Sequence, residues 1–223
     1  MNPTKTPSQR LYESAAPVWK ELIEHPFVQG IGNGTLDVEK FKHYMLQDYL
    51  YLFDYAKVFA LGLVKTQDPK LMQIFAQNID AILNGEMNIH RTYMKRLGIT
   101  DDQVFSVEPA LDNLGYTHYM LAVGQMGGPL EIVAAILACS WSYAEIGALL
   151  EKRQGAADHP FYGEWIRGYA GADFQSTNEG LITLMDRLAA DVGEEKFAYL
   201  TEVFINCCRF ELGFWDMAWE IRR

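Results

Sequence analysis

Residues 38–66 read VEKFKHYMLQDYLYLFDYAKVFALGLVKT. The apolar positions Phe41, Met45, Leu52, Tyr55 and Phe59 follow one another at intervals of four, seven, three and four residues, which places all five on one face of a helix. Outward from this stretch the same period covers about 8–28, 69–97, 109–125, 129–153, 159–170, 174–192 and 195–222. The breaks carry helix punctuation: Gly30, Gly32 and Gly34 before Leu36, Asp68-Pro69 as a cap and first turn, Gly98 after Leu97, and Gly127-Gly128-Pro129. None of the short apolar runs alternates as a half-buried strand does. The expected class is all-α, a bundle of about seven or eight helices without a sheet.

A chain of 223 residues with 49% hydrophobic and 13% aromatic content has enough apolar surface to fold and does not have the composition of a disordered one. No linker or composition break divides it, so one domain over 1–223 is expected, with 1–7 as a flexible N-terminus. The balance of 19 Lys+Arg against 29 Asp+Glu leaves a net charge of −10. Without a basic run there is nothing to grip a phosphate backbone, and no nucleic-acid partner is expected. The longest uninterrupted apolar run, Ile132 to Cys139, is eight residues, against the roughly 20 that span a bilayer. The N-terminus lacks the apolar core of a secretion signal. These features point to a cytoplasmic protein with no membrane partner. The three cysteines, one alone and two adjacent, suit neither a disulfide framework nor a zinc site and are expected as free thiols.

In an all-helical protein a pocket is built from side chains projecting off facing helices, so polar residues on apolar faces are the informative ones. Positions 204, 208, 211, 215 and 219 form one stripe of the last helix, and all but Glu211 are Phe, Cys or Trp. A carboxylate there either pairs inside the bundle or serves as an acid or base tuned toward neutral pH. Asp48 interrupts the stripe between Met45 and Leu52. It is either a core aspartate satisfied by neighbouring tyrosines, with Tyr49, Tyr51 and Tyr55 close in sequence, or a fixed acceptor that orients a ligand N–H. Cys139 lies in Ile136-Leu137-Ala138-Cys139-Ser140-Trp141-Ser142-Tyr143, with Tyr143 one turn away. A buried cysteine is ordinarily a small hydrophobe, and a nucleophilic one needs a group that takes its proton. Spacing does not choose between Cys139 and Cys208, which shares a face with Glu211.

Other patterns are weaker. Glu86 and His90, four apart on one helix, are a possible ligand pair, but a di-iron bundle uses Glu-x-x-His and further carboxylates. His25 before Pro26 reads as a helix-end cap, and Gly30-x-Gly32-x-Gly34 lacks the strand and the Lys-Ser/Thr of a phosphate loop. None of these is assigned a function.

Four segments in order, Gln47-Asp48-Tyr49-Leu50-Tyr51-Leu52, Cys139-Ser140-Trp141-Ser142-Tyr143-Ala144-Glu145-Ile146-Gly147, Trp165-Ile166-Arg167-Gly168-Tyr169-Ala170 and Glu211-Leu212-Gly213-Phe214-Trp215, resemble the TenA proteins, also called thiaminase II or aminopyrimidine aminohydrolase. The resemblance runs from about residue 8 to 221. It implies a haem-oxygenase-like helical bundle that binds no haem and assembles as a homotetramer. It also implies hydrolysis of aminomethylpyrimidine to hydroxymethylpyrimidine and ammonia in thiamin salvage, and in many members cleavage of thiamin itself to hydroxymethylpyrimidine and hydroxyethylthiazole. In the cysteine-type branch the nucleophile falls on Cys139, with Ala138 standing where a proline often precedes it. Glu211 is then the second catalytic residue, and Asp48, Tyr51, Tyr116, Tyr143, Tyr169 and Phe214 bind substrate. No metal and no cofactor is expected, because a covalent Cys139 adduct supplies the chemistry.

Two other classes compete with this reading. A haem-oxygenase-like di-iron oxidase shares the architecture but needs a Glu/His/Asp set on several helices, and 174–192 contains no histidine. A regulatory or pyrimidine-binding protein without catalysis would tolerate loss of Cys139.

Overall fold

The structure, a computed structural model, describes residues 5–223 apart from the side chain of Asp101. Eleven α-helical segments and no strand occur among the described residues. Residues 1–4 of the expected flexible terminus lie outside the described ones, while Thr6 and Pro7 form the cap and first turn of α1 (Pro7–Glu24), where Thr6 and Gln9 make a reciprocal capping box. Helix α2 (Pro26–Asn33) follows directly. His25 and Pro26 divide what the periodicity reads as one run over 8–28, since the residue before proline is steered out of the helical region and His25 Nδ1 accepts from the Phe27 amide. Gly34 closes α2 with φ 69°, a left-handed cap that glycine adopts without a Cβ clash.

The opening stretch forms α3 (Val38–Val64), capped by Asp37, with Phe41, Met45, Leu52, Tyr55 and Phe59 all buried as the spacing requires. The run over 69–97 is not one regular helix. It comprises α4 (Pro69–Asp80), a π-helical turn (Ala81–Glu86) and α5 (Met87–Arg96). Buried positions pass from Leu71 and Phe75 to Ile82, then to Met87 and Met94. The step of five from Ile82 to Met87 marks the extra residue that a π turn inserts. A short α6 (Asp101–Ser106), absent from the periodicity reading, is nucleated by the Thr100–Gln103 capping box. These divisions take the count above seven or eight.

Then follow α7 (Leu111–Met126), α8 (Pro129–Glu151), α9 (Gly163–Ala170), α10 (Ala172–Leu188) and α11 (Glu194–Glu220). Helix α8 is the centre, packed by α3, α7, α9, α10 and α11. It is long and apolar enough, by composition alone, to cross a membrane, but 72% of that apolar window is buried inside the bundle, which is why its hydrophobic residues run all round it. Each Ile, Leu or Val it buries contributes on the order of 1.5–3 kcal/mol. Helix α9 approaches α8 closely at Gly147, where a Cβ would stand 2.7 Å from the Tyr169 carbonyl carbon. That contact brings Tyr143 of α8 against Tyr169 of α9, ring centroids 4.7 Å apart.

Candidate active site

A cavity of about 360 Å³ opens between α3, the π turn, α8, α9 and α10, within the range of small-ligand pockets. Cys139, Tyr143 and Tyr169 line it, together with Tyr55, Glu86, Trp165 and Phe174. Among the described residues no Lys or Arg reaches its wall, and the charged side chains there are Glu86 and, at the exposed rim, Asp173. Such a wall suits a flat, neutral or cationic ring and disfavours phosphate. Asp48, Tyr51, Tyr116, Glu211 and Phe214 are not on this wall. They are buried in the layer behind Cys139.

Tyr51, Tyr116, Phe214 and Glu211 form one contact group there. Tyr51 stacks with Tyr55 at 5.3 Å and meets Tyr116 at 5.3 Å and Phe214 at 5.7 Å. The Tyr116 hydroxyl donates to Glu211 Oε1 at 2.7 Å, and the Glu211 carboxyl is near enough to the Cys139 thiol for each to act on the other's titration. Cys139 is half-buried, the surface it keeps facing the cavity, whereas Cys207 and Cys208 are wholly buried. All three thiols are free.

The electrostatics follow from crowding carboxyl groups into an apolar bundle. Burial, with the nearby charges of Asp48 and Glu86, pushes Glu211 up to about 8 against the Tyr116 hydrogen bond and the neighbouring Cys139 thiol, which pull it down. Burial, reinforced by Glu211 and Glu86, also raises the Cys139 thiol well above its usual range, opposed only by the Tyr51 hydroxyl. At neutral pH the resting pair is therefore a thiol beside a carboxylic acid, and the nucleophile is generated only when the thiol proton has somewhere to go.

Asp48 is held differently from the sequence expectation. Its neighbours in sequence turn away: Tyr55 donates to the Ile136 carbonyl at 2.9 Å and Tyr51 points at the Met120 sulfur. Instead Tyr44, one turn earlier, donates to Oδ2 at 3.0 Å, and His90 Nε2 meets the same oxygen at 2.6 Å. The other ring nitrogen of His90 lies 3.0 Å from the Glu86 carbonyl. Both partners are acceptors, so both nitrogens donate and the ring carries its second proton. Burial alone would lower the His90 pKa, but the Asp48 hydrogen bond and charge, with Glu86, hold it above the ordinary histidine value.

Glu86 and His90, which the sequence offers only as a weak ligand pair, thus both belong to this site. The carboxyl of Glu86 lines the cavity and accepts from the Tyr169 hydroxyl at 2.7 Å through Oε1. Burial and the negative Asp48 raise it to about 7, against His90 and Tyr169. The step of five in the buried positions across residues 82–87 is the one sequence signal that points to it. Among the described residues no three His, Cys, Asp or Glu side chains gather as a ligand set for a metal ion, so the donor set of a di-iron oxidase is not formed by them.

Comparison with known proteins bears on family and fold. The sequence profile of the TENA/THI-4/PQQC family matches residues 12–221. The aminopyrimidine aminohydrolase of Halalkalibacterium halodurans is 48% identical over 212 residues, covering 95% of each chain. That of Helicobacter pylori is 46% identical over 213 residues, covering 96% of this chain and 98% of its own. A TenA homologue protein from P. horikoshii OT3 superposes with a TM-score of 0.88 at 30% identity, over 97% of this chain and 99% of that one. A Shewanella denitrificans domain described as having a heme oxygenase-like fold superposes at 0.74 with 16% identity, covering 95% of this chain and 91% of its own, a likeness of fold alone. By sequence over nearly its full length and by architecture, this chain belongs to the TENA/THI-4/PQQC family.

Proposed function

We propose that the protein is an aminopyrimidine aminohydrolase of thiamin salvage, converting aminomethylpyrimidine to hydroxymethylpyrimidine and ammonia and cleaving thiamin by the same chemistry. The observation that carries this reading is Cys139 on the wall of an aromatic, cation-free cavity with the buried carboxyl of Glu211 close behind it. The pyrimidine enters by this cavity and displaces the layer behind Cys139, so that a ring nitrogen reaches Glu211, the exocyclic amino group reaches Asp48, and the tyrosines of that layer and Phe214 become its walls.

The carboxylic acid of Glu211 gives its proton to the ring nitrogen and takes the thiol proton of Cys139 as the sulfur adds to an electron-poor ring carbon. This relay answers the problem set by the high thiol pKa, because no free thiolate has to persist in the apolar site. Electron density in the adduct then moves outward and expels the group on the exocyclic methylene. Water adds to the methylene, the density returns, and the C–S bond breaks as Glu211 gives the thiol proton back to sulfur and recovers its own proton from the ring nitrogen. Asp48, fixed by Tyr44 and His90, accepts from the amino group and sets the ring's orientation, while Tyr143 and Tyr169 position the reacting methylene. The chain acts as one domain, in the cytoplasm, as a homotetramer, without a nucleic-acid or membrane partner. The acidic charge of −10 and the family resemblance support that setting.

The direct test is ammonia release from aminomethylpyrimidine beside thiazole release from thiamin. Hydroxymethylpyrimidine should form in step with either leaving group. Binding of the pyrimidine without turnover would instead support the regulatory reading.

A further inference from the structure

The relay through Cys139 and Glu211 accounts for protons at the ring and at sulfur, but not for those at the exocyclic methylene. Ammonia leaves with one proton more than the bound amine brings, and the incoming water must lose one. Three carboxyl groups lie near Cys139. Asp48, which takes Tyr44 and His90 on Oδ2, and Glu211, which takes Tyr116 on Oε1, both stand behind the cavity wall and are assigned to the ring's amino group and ring nitrogen. Glu86 alone of the three is on the cavity wall, and only its Oε1 is engaged, by Tyr169; Oε2 receives no hydrogen bond among the described residues. The π turn ends at Glu86 and lines the cavity through Ala81, Ile82 and Gly85 as well. π turns inserted in α-helices recur at functional sites, where the extra residue re-aims a side chain.

We infer that Glu86 is a catalytic residue, whose free carboxyl oxygen gives a proton to the departing amine and then takes one from the water that replaces it. This rests on the aminohydrolase reading. In the first half the methylene C–N bond breaks, its electron pair goes to nitrogen with the Glu86 proton, and ammonia departs. In the second half the water oxygen bonds to the methylene and its proton returns to the Glu86 carboxylate. The net change is amine plus water to alcohol plus ammonia, with Glu86 restored. A substrate arriving as an ammonium ion beside ionised Glu86 holds the same single proton, shared across the same contact.

The surroundings suit a group that works in both directions. Asp48 of α3, His90 of α5 and Tyr169 of α9 bear directly on Glu86, with Cys139 of α8 and the exposed Asp173 of α10 on the same cavity. Their balance, with burial the largest contribution, leaves the carboxyl at about 7, where both protonation states are populated at neutral pH. Thiamin provides the contrast, since its thiazolium leaves as neutral thiazole and needs no proton in the first half.

The test is Glu86→Gln against the wild type in single turnovers of both substrates, with melting temperature and hydroxymethylpyrimidine affinity measured alongside. Ammonia release in the first turnover should fall at least about 100-fold, with thiazole release, affinity and melting temperature close to wild type. If the Gln variant melts early, Glu86→Asp, which keeps a carboxyl but draws it back, carries the same comparison. Ammonia release within about threefold of wild type, or a parallel fall of ammonia and thiazole release, overturns the assignment. A wild type that releases neither leaving group overturns the aminohydrolase reading itself, and this role with it.

Discussion

Cys139→Ser loses at least about a thousandfold of ammonia release, while Cys208→Ala stays within about threefold of wild type. A serine hydroxyl is close in size and keeps a proton-bearing group beside Glu211, but it holds its proton far more tightly than a thiol and attacks a ring carbon poorly. Its loss therefore measures nucleophilicity rather than shape. Cys208 shares the apolar stripe of α11 with Glu211, which is why spacing alone leaves the two thiols tied. The structure separates them by exposure: Cys139 has surface on the cavity, and Cys208 has none anywhere. Replacing Cys208 removes packed core atoms, an effect on stability that steady-state turnover does not register. Turnover measured with circular-dichroism melting distinguishes the two effects, and the opposite ranking would remove Cys139 from the mechanism.

Glu211→Gln should reduce turnover by about 10²–10⁴-fold and at the same time make the protein more stable at neutral pH. An unfolded glutamate ionises near its model value of 4.5, whereas in the folded bundle Glu211 titrates at about 8. Folding above pH 4.5 therefore requires this carboxyl to take up a proton. The stability tied to its protonated form is complete below 4.5, shrinks as pH rises, and is gone above about 8. A glutamine accepts the Tyr116 hydroxyl equally well and carries no such cost. The variant should exceed wild type by on the order of 3 kcal/mol at pH 7, with little difference at pH 4. Urea melts at the two pH values check the sign. A variant that is less stable at both would make Glu211 a structural member of the bundle, not an acid held ready for the ring.

The helices were legible because burial enforces the 3.6-residue period, and the stripe of α3 is buried at each position that its spacing predicts. The same reasoning located Asp48 and Glu211, since a carboxyl on an apolar stripe has to be answered by a partner. It did not identify the partners. Tyr44 and His90 reach Asp48 from one turn away and from another helix, and a one-dimensional period carries no information about which helices face each other. Breaks in the helices were harder still. His25-Pro26 interrupts a hydrophobic rhythm that continues on both sides, and the π turn over Ala81–Glu86 shifts that rhythm by one residue. Glu86 therefore read as one of an i, i+4 pair rather than as part of the cavity wall. The division into a wall containing Cys139, Tyr143 and Tyr169 and a layer behind it containing Tyr51, Tyr116, Phe214, Asp48 and Glu211 also depends on side-chain direction across several helices.

The covalent step is tested most directly by the mass of the protein quenched during turnover of aminomethylpyrimidine, followed by peptide mapping. The mechanism predicts a fraction of chains heavier by one pyrimidinylmethyl group, carried on the peptide containing Cys139 and absent in Cys139→Ser. Sustained hydrolysis with no adduct in any quenched sample, or an adduct on Cys207 or Cys208, would contradict it.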